Sequence, residues 1–171
     1  ILELAARGAK VMHSRSIEFA KKFMTPVHVR SSLSDTPGTI IGPKPESDKV
    51  PVCGMALEKN EARITVGGVP DVPGVVMKLF SEIAAARIPV DMIVQSAGIE
   101  GKTDISFTVR SGDLRNALEV VRKVAEQIDA REVTSDDNLS KVSIVGLGMA
   151  TRHGVAQAMF RVLAEHAINV E

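Results

Sequence analysis

Between residues 68 and 76 the chain reads Gly-Val-Pro-Asp-Val-Pro-Gly-Val-Val, where a β-rich run, EARITVGGV, meets a segment of helical periodicity. The residue types at this joint could do chemistry. A strand that runs straight into a helix leaves the first helical amides without intrahelical partners. Those amides, with the positive end of the helix dipole, can hold a carboxylate. Gly74 lets a ligand approach the backbone closely. Pro70 and Pro73 stiffen the turn and lower the ordering cost of binding. Asp71 could accept hydrogen bonds from an ammonium group. A carboxylate cradle beside a carboxylate side chain suits a zwitterion, that is, a free amino acid. The competing expectation is that Asp71 is simply a helix N-cap and Pro73 a helix-start proline.

Other constellations carry less. VSIVGLGMAT has a strand, then Gly146-x-Gly148, then a helix, with acidic Glu171 beyond, as in a dinucleotide-binding turn. It lacks the third glycine, where Thr151 stands. His13, His28, His153 and His166 show no metal-ligand spacing with one another or with Cys53, so no metal site is expected. No nucleophile–base arrangement can be argued, and no catalytic residue is assigned. The charged run at residues 58–63 reads as a solvated strand connection.

The elements that must position the joint follow from periodicity. Residues 74–87 place Val75, Val76, Leu79, Phe80 and Ile83 on one helical face. VDMIVQSA and TDISFTVR are strands joined by the turn GIEGK. Residues 114–127 form a second helix with Leu114, Leu118, Val121 and Val124 on one face, and AREVTS is a short strand. The order is β-α-β-β-α-β, the ferredoxin-like arrangement. VPVCGMAL is a further strand. Before it, RSIEFAKKFM and LELAARGAKVM read as helices, PVHV and TII as short strands, and GPKPESDK as a linker.

A shift of 80 residues brings Ile64 onto Ile144, Gly68 onto Gly148, Gly74 onto Gly154 and Val75 onto Val155. It also brings Phe80 onto Phe160, Ala84 onto Ala164, Ile88 onto Ile168 and Val90 onto Val170. The matches fall on strand cores, turn glycines and a helix face, so a second β-α-β starts near Lys141. The repeat also explains Gly148 as the same turn used twice. In the second loop Thr151 replaces Asp71 and His153 replaces Pro73.

The 171 residues contain 21 Lys+Arg and 21 Asp+Glu, with no Trp or Tyr and five Phe. Zero formal charge and few aromatics argue against nucleic acid or an anionic membrane as partner. No run approaches a membrane span and no signal peptide is visible. The single cysteine, which excludes an internal disulfide, suits a reducing cytoplasm. The start at Ile1 and the strand-like end at Asn169-Val170-Glu171 read as a piece of a longer chain.

VPDVPG, the helix ending in ARIPVDMIVQ, and TDISFTV resemble the first regulatory ACT domain of bacterial aspartate kinases. KVSIVGLGM and HGVAQAMFRVLAEHAINVE resemble the opening of the second, and ARGAKVMHSRSIEFAKK with VRSSLSDTPGTII resembles the end of the kinase domain. The resemblance implies an α+β chain. Residues 1–42 would be the tail of an α/β amino-acid-kinase domain, and 43–60 a linker plus a strand joining the second ACT sheet. Residues 61–138 would be the first ACT domain and 139–171 a truncated second one.

It further implies allosteric feedback inhibition by L-lysine and/or L-threonine of an enzyme that phosphorylates the β-carboxylate of L-aspartate. ACT domains would self-associate and would act on the kinase domain of the parent chain. ATP and Mg would serve that kinase, no cofactor would serve this region, and this region alone would not catalyse. The implied effector residues are Asp71, Val72, Pro73, Gly74, Val75 and Val76, then Pro89, Val90, Asp91 and Gln95, then Gly154, Val155, Ala156 and Asn169. Lys10 falls on the nucleotide side. Asp91 and Gln95 share strand parity and so are expected on one face. The alternatives are an ACT module that only dimerises and the nucleotide-binding domain built on Gly146-x-Gly148.

Overall fold

The computed structural model describes residues 4–5, 12–42, 52, 54–146 and 153–170. In chain order it contains α1 (Ser14–Lys22), β1 (Val27–Val29), β2 (Thr39–Ile41), β3 (Gly54–Pro70), α2 (Val75–Ala85), β4 (Ile93–Gln95) and β5 (Lys102–Arg110). A single 3-10 turn at Ser111–Asp113 leads into α3 (Leu114–Gln127), followed by β6 (Glu132–Val145) and α4 (Val155–Glu165). The chain divides into two units, Glu58–Lys141 and a second made of Ile1–Leu57 with Val142–Glu171.

Two pairs of expected strands are each one continuous strand. The GMAL end of VPVCGMAL and EARITVGGV merge into β3, and the EVTS of AREVTS and the KVSIV of KVSIVG merge into β6. The polar residues between them, 58–60 and 136–140, include no glycine or proline to break extended backbone. The stretch at 168–170, expected as a strand, is irregular.

In the unit Glu58–Lys141 the sheet order is β4-β5-β3-β6, the expected ferredoxin-like arrangement. Strand alternation turns Ala62, Ile64 and Val66 of β3 and Ile105, Phe107 and Val109 of β5 into the core. Leu79 and Ile83 of α2 and Ala117, Val121 and Val124 of α3 close it from the helical side. Phe80 meets Phe107 edge-on at 5.4 Å between ring centres. Each fully buried aliphatic side chain here contributes about 1.5–3 kcal/mol.

On the other face of the sheet the side chains are polar. The Thr65 and Ser106 hydroxyls bond at 2.8 Å. Glu61 and Thr108 are buried.

The second unit holds α1, the antiparallel pair β1–β2 with Val27 opposite Ile41, and α4. A mostly apolar cavity of about 560 Å³ lies against α4, lined by Val142, Ile144, Val155, Met159 and Leu163 among others. No helix among the described residues is long and apolar enough to cross a membrane.

Candidate functional site

The joint is positioned by three local devices. The β3–β5 ladder shifts register between Val66 and Val69, and the Gly68 amide donates to Asp104 Oδ1 at 2.8 Å. This bulge redirects the end of β3. Next, the β4–β5 hairpin turns through Glu100 and Gly101, both at positive φ, with Ile99 and Lys102 exchanging backbone bonds of 2.8 and 2.9 Å. That is the two-residue turn whose twist matches a hairpin. Gly101 O then accepts the Asp71 amide at 2.9 Å, tying the loop to the hairpin.

The third device is the start of α2. Its N-cap is Gly74, at φ 96° and ψ −20°, and no side chain caps it. Asp71 is therefore not the cap, and its carboxylate is not spent on the helix amides. The Val75 amide donates to Val72 O at 3.4 Å, and without a side-chain cap the first-turn amides after it and the dipole remain available to an anion. No heavy atom lies within 4 Å of where a Gly74 Cβ would stand, so the glycine serves the backbone angle and not a tight fit. Asp71 Oδ2 instead rests against Gly98, where an added Cβ would stand 2.3 Å from it. Gly98 thus permits the approach, a role its place in the expected turn did not reveal.

Asp71, Val72, Pro73 and Gly74 are exposed, while Val75 and Val76 are half-buried and pack on the core. Pro89 is exposed and Val90 packs on the core. Asp91 and Gln95 do not share a face. The Asp91 amide donates to Thr108 O at 3.1 Å, and the Thr108 amide donates to Met92 O at 3.0 Å. Two residues thus oppose one, a bulge that shifts strand parity. Gln95 pairs with Ile105, whose side chain is in the helical core, whereas Asp91 meets the polar-face side chains of Lys141 and Glu61's cluster.

That cluster corrects the reading of residues 58–63 as solvated. Glu61 is 7% exposed, and its Oε2 has no hydrogen-bond partner among the described residues. The Lys141 ammonium donates to Asp91 Oδ2, pairs with Glu58 and lies 3.9 Å from Glu61 Oε1. Burial, the largest influence, opposes the charge on Lys141. The hydrogen bonds to Asp91 and Glu58 and the charges of Glu61 and Asp91 outweigh it and hold its pKa above the ordinary 10.5. Sequence reasoning missed Lys141, Glu58 and Glu61. The available signal was the 80-residue shift itself, which sets Lys141 on Glu61 with reversed charge.

In the second unit α4 starts the same way. Its N-cap Gly154 has φ 90° and no side-chain cap, and Gly154 O accepts the Ala158 amide at 2.9 Å. Val155 is half-buried, and Ala156 and Asn169 are exposed. Lys10, Cys53, Gly148, Thr151 and Glu171 lie outside the described residues.

The family model described as "ACT domain" matches residues 64–124 and 142–171, more than half of the chain. With the βαββαβ sheet and the glycine-opened helices, this defines the class as an ACT-domain protein. Over its whole length the chain is 43% identical to the aspartokinase of Pseudomonas aeruginosa. Among solved structures it is 48% identical to aspartokinase alpha and beta subunits, with a TM-score of 0.63 over 70% of this chain and 78% of that one. It is 35% identical to the ligand-free regulatory subunit of aspartate kinase from Thermus thermophilus, with a TM-score of 0.66 over 71% and 80%. The chain belongs to the aspartate kinase family and corresponds to its regulatory part. It spans 42% of the length of the Pseudomonas aeruginosa relative.

Proposed function

We propose that this regulatory region senses an end-product amino acid, L-lysine and/or L-threonine, and passes feedback inhibition to an aspartate kinase. The observation that carries the reading is the start of α2, where Gly74 opens a helix that no side chain caps and Asp71, three residues before it, keeps its carboxylate off the helix amides and against Gly98. The amides near Gly74 and Val76 take the effector carboxylate, and Asp71 takes its ammonium. Binding then favours the kinase arrangement that is inactive, a population shift set by differential affinity. The whole protein would phosphorylate L-aspartate with ATP and Mg bound outside the residues described. The region would work inside the cell, in the cytoplasm.

Calorimetric titration with L-lysine and L-threonine, with L-aspartate as control, tests this. Saturable binding that Asp71→Ala abolishes is the expected result. Retained affinity in Asp71→Ala sinks the assignment of that residue, and no binding to the unaltered chain sinks the sensor reading.

A second reading, assembly alone, has its own observation. β4 is an edge strand, and Met92, Ile93 and Val94 stay about half exposed on and beside it. Such an edge is a template for pairing with another chain. Sedimentation of the same samples separates the two, because Asp71→Ala spares association in either case and changes ligand binding only in the first.

A further inference from the structure

We propose that Gly98 is a positioning residue for the effector site, its missing side chain being the slot that sets the direction of the Asp71 carboxylate. The inference rests on the amino-acid-sensing reading above. Gly98 lies in the connection between β4 and β5. Gly68, Gly74 and Gly101 of the same unit take the left-handed backbone angles that favour glycine, and Gly98 is not among them. Backbone angle therefore does not call for a glycine at 98. Space does. The three atoms nearest to an added Cβ all belong to Asp71, namely Oδ2, then Cγ at 3.1 Å and Cβ at 3.5 Å. The Asp71 side chain thus lies along the bare backbone of residue 98.

Hydrogen bonds hold the main chain on both sides of this contact. Before residue 98, the Ser96 amide donates to Asp104 O at 3.0 Å and the Thr103 hydroxyl donates to Ser96 O at 2.8 Å. After it, Ile99 and Lys102 exchange their backbone bonds, and Gly101 O holds the Asp71 amide. The exposed Asp71 side chain is the part that yields. A methyl group at 98 would turn it to another rotamer and leave the joint's backbone in place. The hairpin accordingly fixes Asp71 twice, its amide through Gly101 and its carboxylate through the slot at Gly98. An effector ammonium then meets a preorganised acceptor, which lowers the ordering cost of binding.

The test compares unaltered protein with Gly98→Ala, both full-length. Titrations with L-lysine and L-threonine give affinity, urea unfolding gives stability, and the Asp71 carboxyl resonance in NMR of the ligand-free protein reports the side chain's surroundings. Gly98→Ala should weaken binding about tenfold, equivalent to ~1.4 kcal/mol, with an unchanged urea midpoint and a displaced Asp71 resonance. Equal affinity in the two proteins overturns the proposal and leaves the sensor reading standing. Lost affinity with an unmoved Asp71 resonance also overturns it, since residue 98 would then act on the ligand and not through Asp71. So does a variant that loses stability or fails to fold, because the added methyl would then be meeting the fold and not a side chain that yields. Absence of binding to the unaltered protein overturns the sensor reading and this inference with it.

Discussion

The two loop–helix copies, Gly74 with α2 and Gly154 with α4, are almost the same backbone in different surroundings. Both helices have 11 residues, and both begin at a left-handed glycine. Both end alike as well. Arg87 and Ala167 take φ 57° and 55°, and the Ile88 and Ile168 amides reach back to Ile83 O and Leu163 O at 3.2 and 2.9 Å. That is a Schellman-type closure built without glycine. Packing is where they part. Leu79 and Ile83 are fully buried beneath β5 and α3, whereas Met159 and Leu163, their equivalents, border an open cavity and Phe160 is 49% exposed. The local code for the loop and the helix is therefore separable from the core that shelters it.

The largest effect that could break this comparison is in the core. Leu79→Ala should destabilise its unit by about 2–5 kcal/mol, through lost burial and a cavity. Met159→Ala, at the equivalent place in α4, should cost about 1 kcal/mol or less in this chain. Urea unfolding followed by tryptophan-free probes such as far-UV dichroism checks both, and equal losses would show that α4 is as well packed as α2.

A smaller effect sharpens the local half of the comparison. Gly74→Ala and Gly154→Ala should each cost about 1–2 kcal/mol, because an L side chain at such a φ strains the backbone although no neighbour blocks it. Similar losses at the two sites would show that the strain is local. Unequal losses would place it in the surroundings.

The smallest effect concerns the reversed charges of Glu61 and Lys141. Lys141 has a raised folded pKa, so its stabilising contribution is complete below the ordinary 10.5 and is lost as pH rises through the folded value. Alkaline titration of stability should thus be steeper in the unaltered protein than in Lys141→Met. Parallel curves would show that the cluster adds nothing through charge.

Much of the site was readable from residue types. Gly74 and the two prolines announce a strand-to-helix joint, with Asp71 readable either as its cap or as a ligand group, and the helical stripe from Val75 to Ile83 announces its buried side. Strand parity misled at Asp91, because a bulge opposite Thr108 adds one residue to the count and no residue type at 91 or 92 marks it. The run at 58–63 misled for a related reason. Charge density reads as solvent exposure unless the partner is known, and the partner of Glu61 lies 80 positions away.

The sequence by itself determined the order of elements, the repeat, the turn glycines and the apolar faces, because backbone angles and periodic burial are local properties. It did so down to α3, whose bounds match the expected 114–127. Only the tertiary structure decided that four strand segments are two long strands, that Gly98 makes room for the Asp71 carboxylate, and that Lys141 gathers Glu58, Glu61 and Asp91. Those facts depend on register and on distances between residues far apart in the chain, which hydrogen-bond ladders and core packing set together.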